Sequence, residues 1–132
     1  TLFFGGQIRG VLTVRNTKGA SVSSNTLTFK RLDFTDATLR LDGLGGQTNV
    51  ASYGIFIDDC VGGAWEIVGC AVDHVGFVGG VDSRYGLGSI ARSTITHLTI
   101  AANQEQVTVD AASMLTLVSG NLDQLRRPEP PN

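Results

Sequence analysis

The chain has 132 residues, 17 of them glycine, with ten basic and twelve acidic side chains, two histidines and a formal net charge of -2. That length fits one domain with a core of its own, and so small and scattered a charge offers nothing to a nucleic-acid backbone or an anionic membrane surface. No apolar run approaches the roughly 20 residues that cross a bilayer as a helix, so no membrane insertion is expected.

The chain opens on TLFFGGQIRG, which has no basic segment ahead of an apolar one. Its first residue is Thr1 rather than methionine, which suggests a processed product or an excised piece. Leu2, Phe3 and Phe4 place three apolar side chains there, each worth roughly 1.5–3 kcal/mol once buried. Their expected use is to plug an open end of the fold or to cross to another subunit. QIRGVLTV then alternates imperfectly, and RNTKGASVSSN reads as a polar connection.

In TLTFKRLDFTDATLRLDG the apolar residues come in pairs two apart: Leu27 with Phe29, Leu32 with Phe34, Leu39 with Leu41. That is the spacing of a strand with one buried face, and the steps of three or five between pairs mark bends. LDGLGG resembles a hairpin turn. Further on, Ile55 with Ile57, Ile67 with Cys70 and Val72, Val75 with Phe77, and Ile95 with Leu98 and Ile100 continue the rhythm. The pattern apolar-x-x-apolar-x-apolar recurs at 29-32-34, 67-70-72, 72-75-77 and 95-98-100. Val107 with Val109 and Leu115 with Leu117 close the series, and RRPEPPN gathers all three prolines into an extended tail.

A helix would need apolar steps of three and four sustained over several turns. Very short strands joined by one- or two-residue bends instead predict an all-β parallel β-helix, a solenoid of about four unequal coils of roughly 20 to 30 residues. One domain over 1–127 and a tail or linker over 128–132 follow. The alternative is an antiparallel β-sandwich, whose signature would be hairpin connectivity. Solenoid ends leave strand edges open, which points to a homo-oligomer or to neighbouring coils of a larger solenoid.

The alternating, glycine- and threonine-rich coils over residues 26–120 resemble the right-handed parallel β-helices of the pectate-lyase-like superfamily, and among them the tailspike and tail-fibre domains of bacteriophages. The resemblance implies a homotrimer on a virion tail or another extracellular structure, joined to other fibre domains and gripping a bacterial surface polysaccharide. Some such proteins cleave that polysaccharide, but the aspartate and arginine constellation of pectate lyases has no counterpart here. The expected function is attachment. A glycoside hydrolase is the first alternative and a structural shaft the second.

Hydrolysis would need two carboxylates about 5 to 9.5 Å apart. Asp58, Glu66 and Asp73 are the candidates, with Asp33, Asp36 or Asp82 as contributions from a neighbouring coil; the bland reading makes them solvated corner residues. Binding would use Tyr53, Trp65, Arg84 and Tyr85, since a sugar ring stacks on an aromatic face while polar groups take its hydroxyls. The competing reading buries Trp65 in the core or a subunit seam. Cys60 and Cys70 permit one disulfide but form no CxxC, and are expected as small buried residues. His74 and His97 share no short ligand spacing and no calcium loop occurs, so neither a metal nor a cofactor is expected.

Overall fold

The computed structural model describes residues 2–15, 25–45, 53–79, 83–100, 104–120 and 125–127. Among them every regular element is a strand: β1 (Leu2–Phe4), β2 (Val11–Arg15), β3 (Asn25–Lys30), β4 (Asp33–Asp42), β5 (Tyr53–Asp58), β6 (Val61–Val68), β7 (Ala71–Val78), β8 (Gly88–Ala91), β9 (Thr94–Thr99), β10 (Val107–Val109), β11 (Met114–Ser119) and β12 (Leu125–Arg126). The odd-numbered strands form one six-stranded sheet in chain order and the even-numbered strands a second. Every strand pairing is parallel. This is a β-solenoid, with about four full turns and shorter passes at its ends. Hairpin connectivity, and with it the sandwich alternative, is absent among the described strands.

The coils are unequal, as their irregular spacing predicts. Thr28 lies beside Phe56 and Phe56 beside Gly76, so one turn spends 28 residues (28 to 56) and the next 20 (56 to 76). A third, narrow face lies between the two sheets. It is a short ladder in which Gln7 pairs with Asp33, Asp33 with Val61, Val61 with Arg84, and Tyr85 with Gln104.

The corners explain the recurring sequence pattern. Gly5, Arg31 and Asp59 end successive odd strands with positive φ, and Gly43, Gly69 and Arg92 do the same for even strands. This left-handed conformation turns the chain sharply while its N–H still bonds to the next coil: Arg31 donates to Asp58 at 3.1 Å and Gly69 to Ala91 at 2.9 Å. The following residue then points inward, as Leu32, Cys60, Leu44, Cys70 and Ser93 do. LDGLGG therefore begins with such a corner, at Gly43, rather than a hairpin.

The interior is built of Leu, Ile, Val and Phe, and includes all of Ile55, Ile57, Ile67, Cys70, Val72, Val75 and Phe77. Phe3 stacks on Phe29 with ring centroids 5.0 Å apart and covers the first end of the core. Corner N–H groups that point inward find hydroxyls: Cys70 donates to Ser93 Oγ at 3.0 Å, and Ser93 to Ser113 Oγ at 3.1 Å. Cys60 and Cys70 are buried free thiols at two different corners. Burial pushes both thiols above their ordinary range, which leaves little thiolate for chemistry.

Candidate functional site

The three outer faces differ in chemistry. On the even-strand sheet, Arg15 pairs with Asp42 at 3.3 Å and Arg40 with Glu66. On the odd-strand sheet Lys30 pairs with Asp58 at 3.8 Å. That sheet otherwise presents threonines, the exposed Phe4, Phe56, Met114 and Val118, and the histidines His74 and His97.

The structure does not join the three carboxylates singled out above. Glu66 lies on one sheet and Asp58 and Asp73 on the other. Asp58 is level with Val78 on the neighbouring strand; Asp73 is five residues earlier, roughly 16 Å away at about 3.3 Å per residue. That separation exceeds what either mode of glycoside hydrolysis uses. Asp82 lies outside the described residues.

The two described aromatic candidates are buried around Phe77. Trp65 is 1% exposed and stacks on Phe77 with centroids 4.2 Å apart. Its indole N–H donates to Gln104 Oε1 at 2.9 Å, and the Gln104 amide donates onward to the Gly86 and Glu105 carbonyls. Tyr85, also 1% exposed, meets Phe77 edge-on. Its hydroxyl lies 2.7 Å from the Val78 carbonyl and 3.0 Å from that of Ile57, and accepts from the Cys60 N–H at 3.4 Å. Burial drives the phenol's pKa upward, so it serves here as a neutral hydrogen-bonding post. The side chain of Tyr53 lies outside the described residues. Arg84 alone of the described binding candidates is exposed.

Arg84 belongs to a cleft on the narrow face. Between the pairs Phe34–Gly62 and Thr38–Ala64, β4 spends three residues where β6 spends one. This bulge carries Asp36 at φ 59 and lifts Thr35 and Asp36 out of the ladder. On one side of it a concavity of about 540 Å³ is lined by Gln7, Arg9, Asp33, Thr35 and Asp36 among others. On the other side a smaller one, about 300 Å³, is lined by Thr35, Arg84 and Glu105, with Gly62 and Gly86 contributing only backbone. Thr35 stands between the two.

Asp33 accepts from the Thr35 hydroxyl at 2.7 Å and from its backbone N–H at 3.0 Å. These bonds hold its carboxyl below the usual range, so it is a fixed anion and an acceptor. Sequence reasoning placed Asp33, Asp36 and Arg84 among its candidates but missed Gln7, Arg9, Thr35 and Glu105. Only the pairing of coils brings those together, and no local spacing could have found them.

Fold and surface together define the class: a parallel β-solenoid domain with a polar cleft along its narrow face. No protein-family model, no curated protein and no solved structure matches the chain.

Proposed function

We propose that the chain is an extracellular or virion-borne attachment domain that holds a surface polysaccharide in the narrow-face cleft. The observation that carries this reading is the cleft's lining. Two guanidinium groups, three carboxylates, a carboxamide and a hydroxyl, from Arg9, Arg84, Asp33, Asp36, Glu105, Gln7 and Thr35, line two adjoining hollows that meet at Thr35. Sugar hydroxyls both donate and accept, so a mixed set of this kind matches them where a single-sign cleft would not. The coils of the solenoid beneath repeat at about 4.8 Å, so a chain ligand lying along the axis meets successive coils.

Asp33, held as an anion by the two Thr35 hydrogen bonds, is a fixed acceptor for sugar hydroxyls. A homotrimer is part of the proposal. Phe4 (60% exposed), Met114 (70%) and Val118 (59%) on the outer odd-strand face are what such an assembly would cover.

The test is retention of the purified chain on a panel of immobilised bacterial polysaccharides, with light scattering for its mass. Retention that disappears in Arg84→Ala and Asp33→Asn, with unchanged circular dichroism, supports the reading. Release of reducing ends would turn it into the hydrolase reading. Failure to bind any panel member, with an intact trimer, would leave the structural shaft.

A further inference from the structure

The two histidines are 23 positions apart in the sequence (74 to 97), and the solenoid makes them neighbours. His74 on β7 and His97 on β9 are direct partners in the parallel ladder. Their rings stack with centroids 4.7 Å apart and planes 18° from parallel. Both are exposed.

The backbone explains how they reach the outer face. Val72 pairs with Ile95 and Val75 with Leu98, all four buried. Between these inward residues each strand has two rather than one. Asp73 with His74, and Thr96 with His97, are therefore both left to the outside. The β5 partner of His74 is Gly54, and the Phe56 ring lies over that glycine: a Cβ there would come within 2.9 Å of it. The side of His74 toward β5 is thus bordered by an uncharged ring rather than a competing cation.

We propose that His74 and His97 form a two-imidazole site for a divalent transition metal that prefers nitrogen ligands (Cu²⁺, Ni²⁺ or Zn²⁺) and that the ion ties two successive coils together. Imidazole is the protein ligand best suited to these ions, while oxygen-preferring Ca²⁺ and Mg²⁺ gain nothing from it. With metal–nitrogen bonds of about 2.0–2.1 Å, two nitrogens on one tetrahedral ion stand about 3.4 Å apart. The rings' centroids are 4.7 Å apart and their planes nearly parallel, so the in-plane nitrogen lone pairs do not yet converge; rotation of the two exposed side chains about their own bonds brings one nitrogen of each to that spacing without moving the ladder. No cluster of three or more His, Cys, Asp or Glu side chains able to hold a metal occurs among the described residues, so water completes the coordination. This inference is independent of the proposed glycan cleft, which lies on a different face, and it requires that the proposed trimer leave the β7–β9 part of the odd-strand face open.

The experiment uses the untagged chain, because these are its only histidines. Titrating it with CuCl₂, NiCl₂ and ZnCl₂ at neutral pH in a calorimeter is expected to show one ion per chain, Cu²⁺ tightest, with CaCl₂ and MgCl₂ silent. The imidazole proton resonances of both residues are expected to broaden together with Ni²⁺. His74→Gln and His97→Gln, each at an exposed position, are each expected to weaken binding at least tenfold and to abolish any rise in melting temperature with Ni²⁺. Binding left intact by either substitution, or no binding at millimolar metal, overturns the site. Loss in one variant alone also overturns it, because a bridge between coils needs both rings.

Discussion

The hydrogen bond between Trp65 and Gln104 is the sharpest test of how the interior is arranged. Replacing Gln104 by leucine removes the acceptor of the indole N–H, 2.9 Å away, and both amide bonds to the Gly86 and Glu105 carbonyls. A buried donor left without a partner costs about 1–3 kcal/mol, and each neutral hydrogen bond lost adds about 0.5–1.5. Glu105 is exposed and can turn to water, so the expected total is about 2–4 kcal/mol. For a chain of this length that lowers the melting temperature on the order of 10 °C. Trp65→Phe alone strands the Gln104 oxygen instead, at roughly 1–3 kcal/mol. The double variant removes both polar partners and should cost less than the two singles summed, by about 1–2 kcal/mol. Urea unfolding followed by far-ultraviolet circular dichroism gives all three values. Additivity within about 0.5 kcal/mol, with Gln104→Leu costing less than that, would refute the burial of Trp65 and reopen its reading as a sugar platform.

Other positions test the corners and the close packing. In Gly88→Ala the new methyl would sit 2.2 Å from Trp65 Cζ2, against a ring pinned by Phe77 and Gln104, and overpacking of that kind costs roughly 1–3 kcal/mol or more; a melting temperature within a degree of wild type would contradict it. Gly69→Ala meets no atom within 4 Å but must hold φ 62, so its expected cost is about 1–2 kcal/mol of purely conformational origin. Arg92→Gly, at φ 49 in the same corner stack, should move the other way by less than about 1 kcal/mol, since relief of strain is partly offset by a freer unfolded chain. Asp110 titrates below the ordinary carboxylate range, chiefly because the Ser113 hydroxyl donates to it, and the Arg92 N–H adds a bond at 3.0 Å. A depressed folded pKa means stability that is full above the unfolded value and lost as pH falls through the folded one. Melting temperature between pH 5 and pH 2 should therefore fall more steeply in wild type than in Asp110→Asn, and parallel curves would deny the carboxylate that role.

The core was legible because its rule is local. Every residue of the pattern at 29-32-34, 67-70-72, 72-75-77 and 95-98-100 is buried. Two backbone devices produce that one pattern. At 29-32-34 and 67-70-72 the extra residue belongs to a left-handed corner, at Arg31 and Gly69. At 72-75-77 and 95-98-100 it belongs to a strand that sends two successive residues outward, His74 and His97 among them. Sequence spacing cannot separate a corner from such a bulge, so Asp73, which reads as a corner residue in the sequence, lies instead within a strand. Trp65 was ambiguous for a different reason. Its inward place depends on Gly88, whose missing side chain makes room for the ring, and on Gln104, 39 positions away.

Unequal coil lengths connect these findings to function. Had every coil repeated the same number of residues in the same conformation, the narrow face would be a plain ladder, and the outward groups would fall into uniform rows. The three residues that β4 spends against one in β6 break that regularity and hold Thr35 and Asp36 between two hollows. The strand interiors, by contrast, consume the groups that look most reactive on paper: both thiols, the indole and the Tyr85 phenol are spent on packing and on inward-pointing backbone groups. What is left to meet a ligand is set by register, meaning which residue of one coil falls beside which residue of the next. Inserting one residue into the 35–37 bulge should therefore disturb glycan retention while leaving the His74–His97 pair and its metal binding unchanged, whereas inserting one between Ile95 and Thr96, inside β9, displaces His97 from its place beside His74. Opposite sensitivities of the two activities to the two insertions would locate them on separate faces of one solenoid.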